Sequence, residues 1–132
     1  MKYFSIAELT NSARATKDGI NNTPTNENII NMTELIINCL DPLREAYGKP
    51  IRVNSGFRSP ALNTAVGGSR TSDHMQGSAA EITGGSPAEN KKIFEIAKKL
   101  PKGFDQLIDE KNFSWIHISW RPKGNRNMVM KK

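Results

Sequence analysis

Histidine and cysteine are almost missing from this 132-residue chain, which has two of the first and one of the second. A lone cysteine excludes an internal disulfide and any Cys-rich zinc pattern. Cys39 sits at a helical apolar spacing in ELIINCLDPL, which makes it a core thiol. No apolar run approaches the length of a membrane span, so no membrane partner is expected. The opening MKYFSIAELTNSAR carries one lysine and meets Glu8 before any apolar stretch builds up, so no secretory signal is expected there. Internal repeats and low-complexity segments are also lacking, and 132 residues leave room for one core, so the whole of 1–132 is expected to be a single domain.

Lysine and arginine number 19 against 13 acidic residues, a net charge of +6. Such a surface favours polyanions, among them nucleic acids, anionic lipids and bacterial wall polymers. No basic strand interleaved with aromatics and no recognition-helix pattern is present, which argues against nucleic acid. The densest basic run is RPKGNRNMVMKK, and residues 122–132 read as a flexible tail.

Local patterns give an element order. Ser5-Ile6-Ala7-Glu8 has the form of a capping box and predicts a helix, with 1–25 forming an N-terminal helix and turn. From Asn26 to Tyr47, Ile29, Ile30, Leu35, Ile36, Cys39, Leu40, Leu43 and Tyr47 mark one helical face. Asp41-Pro42 should bend or break that helix, and Gly48 should end it. PIRVNSG and SAAEITG read as strands, and Ser59-Pro60 opens a short helix over ALNTAV. Ser86-Pro87-Ala88-Glu89 predicts a second boxed helix over NKKIFEIAKKL. FDQLID and SWIHISW read as an antiparallel hairpin. Helices early and strands late predict an α+β fold: N-terminal helices packed on a small, mainly antiparallel sheet.

The two histidines then stand out. His74 lies in TSDHMQGSAAEI, seven residues before Glu81, and His117 lies in SWIHISW. With His74 at a loop and Glu81 in the strand that follows, both can face one point, and the small residues between leave space there. His117 from a neighbouring strand would complete a His–carboxylate–His set of the kind that holds a metal. Spacing alone leaves open a plainer arrangement of two half-buried histidines and a surface glutamate.

The segment SGFRSPALNTAVGGSRTSDHMQGSAAEI, taken with SWIHISW, resembles the zinc D-alanyl-D-alanine carboxypeptidase superfamily, which includes the L-alanyl-D-glutamate endopeptidases. That pattern has S-G-[YF]-R-[ST], S-x-H-x-x-G-x-A-x-D and W-x-H. The chain matches it with SGFRS at 55–59, SDHMQGSA at 72–79 and WIH at 115–117. FSIAELTNSARATKDGINNTP and DPLREAYGKPIRVNSG further resemble the small phage and prophage branch. Two departures accompany the match. Glu81 stands where the family has Asp, and Ser114 stands where many members carry an acidic general base, three residues before the last histidine.

The resemblance implies a zinc peptidase, with zinc held by His74, Glu81 and His117, acting on a bond that involves a D-amino acid in peptidoglycan. Whether it acts as a carboxypeptidase or as an endopeptidase stays open. Arg58 is implied beside the metal, to bind substrate and the developing oxyanion, with a structural bridge to the loop before Asp73 as its alternative. Ser72 would contact substrate or cap its own turn. Trp115 shares the face of His117, five residues from Trp120 on the other side, and would wall the cleft or pack in the core. With Ser114 unable to serve as base, Asp105, Asp109 and Glu110 are the nearby carboxylates. One hairpin register puts Gln106 and Glu110 on the face of His117, and a one-residue slip favours Asp105. Glu110 is the choice for general base. The implied partner is the wall peptide, with anionic wall polymers as a second contact, and the chain is expected to be a monomer. A phage or prophage protein made in the cytoplasm and acting at the wall after release, or on the virion, fits this reading. A catalytically silent, zinc-stabilised binding homologue is the alternative.

Overall fold

The computed structural model describes residues 1–132. Two short helices open the chain where one was expected. Ser5 Oγ accepts from Glu8 N and starts α1 (Ile6–Thr10). Asn11 then turns to an extended conformation, and Ser12 caps a second helix, α2 (Ala13–Asp18), which ends at Gly19 with φ +65°. The reciprocal capping box is found at Thr25, where Asn28 replaces the expected acid and both halves of the box are made. At Ser86 only the serine half forms, because the Glu89 carboxylate is drawn to Lys49, Tyr47 and Lys92.

The helix that starts at Thr25 does not break at Pro42. It runs as α3 (Asn26–Leu35), a π-helical turn (Ile36–Leu40) and α4 (Asp41–Tyr47), stopping at left-handed Gly48. Proline lacks an N–H and crowds the preceding turn. The wider π turn just before it, with Asp41 N bonding Ile36 O, absorbs that conflict and keeps the helix continuous. Met32, Leu35, Ile36, Cys39, Leu40 and Leu43 line its buried face. Burial pushes the Cys39 thiol up to about 12, so it is an inert core group.

Five strands form one sheet in the order β1 (Arg52–Ser55), β2 (Ala79–Thr83), β4 (Trp115–Ser119), β3 (Gln106–Glu110), β5 (Met128–Lys131). All pairings are antiparallel except β3 with β5. The fold is therefore a single α+β domain with a mainly antiparallel sheet. Alternation along the strands separates two faces. Ala80, Ile82, Leu107, Ile116 and Ile118 point into the core with the long helix and with α6 (Pro87–Ala97), which contributes Ile93, Phe94 and Ala97. Glu81, His117, Gln106, Ile108 and Glu110 lie on the opposite face. The loop from Gly56 to Ser78 lies against that face and carries α5 (Pro60–Ala65) and a 3-10 turn (Asp73–Gln76).

The expected flexible tail is corrected by β5. Met128–Lys131 pair in parallel with Gln106–Asp109, and Asn127 ties the strand's start to Phe104 through its side chain and backbone. Met128 and Met130 are half-buried while Val129 and Lys131 are exposed, the period-2 pattern of an edge strand.

Candidate metal centre

Two glycines of the opening motifs explain how the loop reaches the sheet. A Cβ on Gly56 would lie 2.3 Å from Leu9 O, so only glycine lets this loop touch the end of α1, where Phe57 N donates to Leu9 O at 2.7 Å. Gly77 has φ +82° and a Cβ there would lie 2.6 Å from Asn28 O; it ends the 3-10 turn against α3. Between them, Ser72 Oγ accepts from His74 N at 3.2 Å and from Arg58 Nη2 at 3.2 Å. Arg58 N in turn donates to His74 O at 3.1 Å. Arg58 and Ser72 are thus one bridge that sets the His74 turn. Arg58 also keeps a buried Nε with no partner.

His74 is buried, and its Nδ1 lies 2.7 Å from Gly56 O. A carbonyl only accepts, so Nδ1 carries the proton and Nε2 presents its lone pair to the cleft. Burial, with the charges of Arg58 and His117 adding to it, pulls this imidazole down to about 3. Burial pulls His117 down to about 4, helped by Lys132 and Arg58. Both rings are neutral at pH 7.

Register brings the rest together. Glu81 pairs directly with His117 across β2 and β4, and His117 pairs with Ile108 across β4 and β3. The donor atoms of His74, Glu81 and His117 all lie within 4.8 Å of one another. His74 Nε2 is 3.6 Å from Glu81 Oε1, and the two histidine rings meet edge to face at 5.3 Å. The Nε2 atoms of both histidines are buried without a hydrogen-bond partner. Two buried imidazole nitrogens without partners, beside a half-buried carboxylate, are unfavourable unless a cation stands there. The two-nitrogen, one-carboxylate set suits a divalent ion such as zinc. Burial raises the Glu81 carboxyl, Arg58 opposes that rise and Glu110 adds to it.

A cleft of about 580 Å³ opens over these groups. Its lining includes Arg58, Ser72, Asp73, Gln106, Glu110 and Ile108 as well as the three donors. Glu110 is a diagonal neighbour of His117, a relation that spans about 7–8 Å between α-carbons. Its Oε2 accepts from Trp115 Nε1 at 2.8 Å. Trp115 is not among the lining residues, so it meets the cleft through Glu110 rather than as a wall. The other two carboxylates considered are occupied elsewhere: Asp105 holds Arg126 and Arg121, and Asp109 accepts from Phe113 N at 2.6 Å. Ser114 is exposed on the β3–β4 turn and donates to Lys111 O at 2.6 Å, away from the cleft.

Arg121, Arg126 and Lys132 also line the cleft and were not expected there. Arg121 follows directly from the end of β4, whereas Arg126 and Lys132 flank β5 and arrive through its pairing with β3, a non-local contact. The Met-Val-Met-Lys alternation was its one trace in the sequence.

A family model of peptidase M15 matches residues 2–119. The chain belongs to the peptidase M15 family. The family match covers both histidine segments and all three donor residues. Among curated proteins, the zinc D-Ala-D-Ala carboxypeptidase of Streptomyces albus G is 52% identical over 48 residues. That stretch is 36% of this M15 chain and spans about a fifth, 19%, of the carboxypeptidase.

Proposed function

We propose that this M15 chain is a zinc peptidase that hydrolyses a peptide bond involving a D-amino acid in bacterial peptidoglycan. The observation that carries the proposal is the convergence of two partnerless, neutral histidine nitrogens and one carboxylate oxygen within 4.8 Å. The family and the zinc carboxypeptidase of Streptomyces albus G support the choice of zinc and of wall peptide. His74, Glu81 and His117 would hold the ion.

Zinc, when bound, supplies Lewis acidity, which polarises a carbonyl and acidifies water. Glu110 takes the proton released as water attacks, and passes it to the leaving amine nitrogen. The Trp115 indole holds Glu110 Oε2 and leaves Oε1 to carry that proton. Arg58, fixed through Ser72, directs its free N–H groups at the oxygen that gains charge on the scissile carbonyl. The loop from Gly56 to Ser78 narrows access of water to the site, which strengthens these charge interactions.

A silent binding homologue would be favoured by Ser114 in the base position. Glu110 in the cleft answers that feature, since another carboxylate on the same face takes the role. Phage or prophage origin, with action at the wall after release, remains part of the proposal and rests on the resemblance of the N-terminal half. Exposed Lys91 and Lys92 on α6, with Lys98 and Lys99 just past its end, would hold a chain of net charge +6 near anionic wall polymers.

The test is incubation of purified peptidoglycan with zinc-loaded protein, followed by mass spectrometry of the soluble fragments. Release of single D-alanine would make it a carboxypeptidase, and larger peptides with new amino termini an endopeptidase. No new ends from several wall chemotypes would sink the proposal.

A further inference from the structure

Asp105 precedes β3 and has a fully buried side chain, yet it holds two arginines. Arg126 grips it through Nε and Nη2, each at 2.9 Å, and through its backbone N at 3.2 Å. Arg121 Nε lies 3.1 Å from the same carboxylate. One bidentate arginine already neutralises a buried carboxylate. The second guanidinium is surplus to that need.

Both arginine side chains stay partly open, at 44% and 40% exposure, and both line the cleft that holds His74, Glu81 and His117. Their loop is fixed in place. Arg121 N donates to Asn125 Oδ1 at 2.8 Å, and Asn125 Nδ2 returns to Arg121 O at 2.9 Å. Asp73 shares this wall, but neither arginine forms an ion pair with it; their ion pairs are those to Asp105. The Nη groups of Arg121 and the Nη1 of Arg126 are left without protein partners.

The spacing suits a peptide. Arg121 lies four residues past His117 and two past the end of β4, at most about 13 Å away at roughly 3.3 Å per residue. Side chains reaching inward from both positions leave a gap of one or two peptide residues, at about 3.5 Å each. Glu110 lies toward the opposite end of the strand, so the cleft has a proton-accepting end and a guanidinium end on either side of the metal donors.

We propose that Arg121 and Arg126, positioned by Asp105, form a subsite for a carboxylate of the bound peptide, one or two residues from the bond that is cut. The proposal deepens the peptidase reading and rests on it for the identity of the ligand. The subsite makes the protein select acidic over amidated peptides. A wall peptide with lysine as its third residue offers two such groups, the C-terminal carboxylate of D-alanine and the α-carboxylate of D-glutamate.

The experiment is calorimetric titration of the full chain, metal-free, with a stem tetrapeptide. Three forms are compared: both carboxylates free, the C-terminal amide, and the D-glutamate α-amide. The wild type should bind the free acid at least about tenfold more tightly than one of the amides, the scale of a lost charge-assisted pair. Whichever amide is weakened identifies the source. Arg121→Gln leaves Asp105 paired with Arg126, so it should fold, and it should bind the free acid as weakly as that amide. If it does not fold, Arg121→Lys keeps the charge without the fork and should lose most of the preference. Equal binding of acid and amides, no binding of any, or an undiminished preference in the variant would overturn the subsite. Hydrolysis by the zinc-loaded protein is read separately. Selective binding without cleavage would remove the peptidase reading and keep the subsite, and cleavage without preference would do the reverse.

Discussion

Replacing Gly56 by alanine would test how the metal site depends on a contact with the far end of α1. The new Cβ would lie 2.3 Å from Leu9 O and 3.0 Å from Leu9 C and Cα, all backbone atoms that cannot rotate away. Ordinary contact begins near 3.4 Å, so the loop and α1 must part by about 1 Å. The Phe57 N to Leu9 O bond, at 2.7 Å, would stretch with them. Overpacking of this kind costs about 1–3 kcal/mol, roughly 4 °C of Tm per kcal/mol for a chain of this size. The consequence for the site comes through Gly56 O, which receives the His74 Nδ1 proton at 2.7 Å. Moving that carbonyl frees the imidazole to turn and weakens the basicity of Nε2. Loss of such an outer partner lowers metal affinity about 10–100-fold. The assay is zinc affinity by competition with a chelator, alongside thermal unfolding with and without zinc. A variant that loses stability yet keeps zinc affinity within about twofold of the wild type would refute the argument that Gly56 sets the His74 ring.

Glu110→Gln keeps the shape and the Trp115 contact but cannot accept a proton; kcat for wall-peptide hydrolysis should fall by about 10²–10⁴, with zinc content unchanged. An active Glu110→Gln enzyme would remove Glu110 as the base. Asn90 is fully buried and uses all four of its bonds, accepting from Thr83 Oγ1 and Gly84 N and donating to Phe113 O and Ser114 O. Asn90→Ala should cost about 2–4 kcal/mol in denaturant unfolding, because several polar groups lose their partners at once. A smaller loss, under about 1 kcal/mol, would mean that water replaces the side chain. Lys49, Tyr47 and Lys92 hold the Glu89 carboxyl down, from 4.5 to about 2. Its contribution to stability is complete above pH 4.5 and fades as pH falls toward 2, since the unfolded chain takes up the proton first. Glu89→Gln should therefore flatten the acid limb of the stability profile in that window, and an unchanged limb would contradict the assignment.

The sequence made the core of the site legible because its parts are local. His74 and Glu81 are joined by a tight turn and a strand, and period-2 alternation put Glu81 and His117 on the face away from Ile82, Ile116 and Ile118. The hairpin register stayed open in the sequence, between Glu110 and Asp105, and the pairing of Trp115 with Glu110 makes Glu110 the diagonal neighbour of His117. The β3–β4 turn holds Lys111, Asn112 and Phe113 at positive φ, a region that only the asparagine among them favours. What stayed hidden was non-local or a matter of backbone relief. The pairing of β5 with β3 brings Arg126 and Lys132 to the cleft, and nothing near residues 122–132 specifies the partner strand. The π turn before Pro42 reconciles a strong apolar face with a helix breaker, where local preference alone favours a break. Trp115 was correctly placed on the face of His117, but its indole is spent on Glu110.

In the proposed function, His74, Glu81 and His117 form one zinc site on which wall-peptide cleavage depends. The most direct measurement is titration of zinc into the metal-free protein, with peptidoglycan cleavage followed at each addition, for the wild type and His117→Ala. The wild type should bind a single equivalent, with cleavage that rises in step and saturates at that equivalent, and the variant should do neither. Cleavage that is independent of zinc, or tight stoichiometric zinc in His117→Ala, would contradict the proposal.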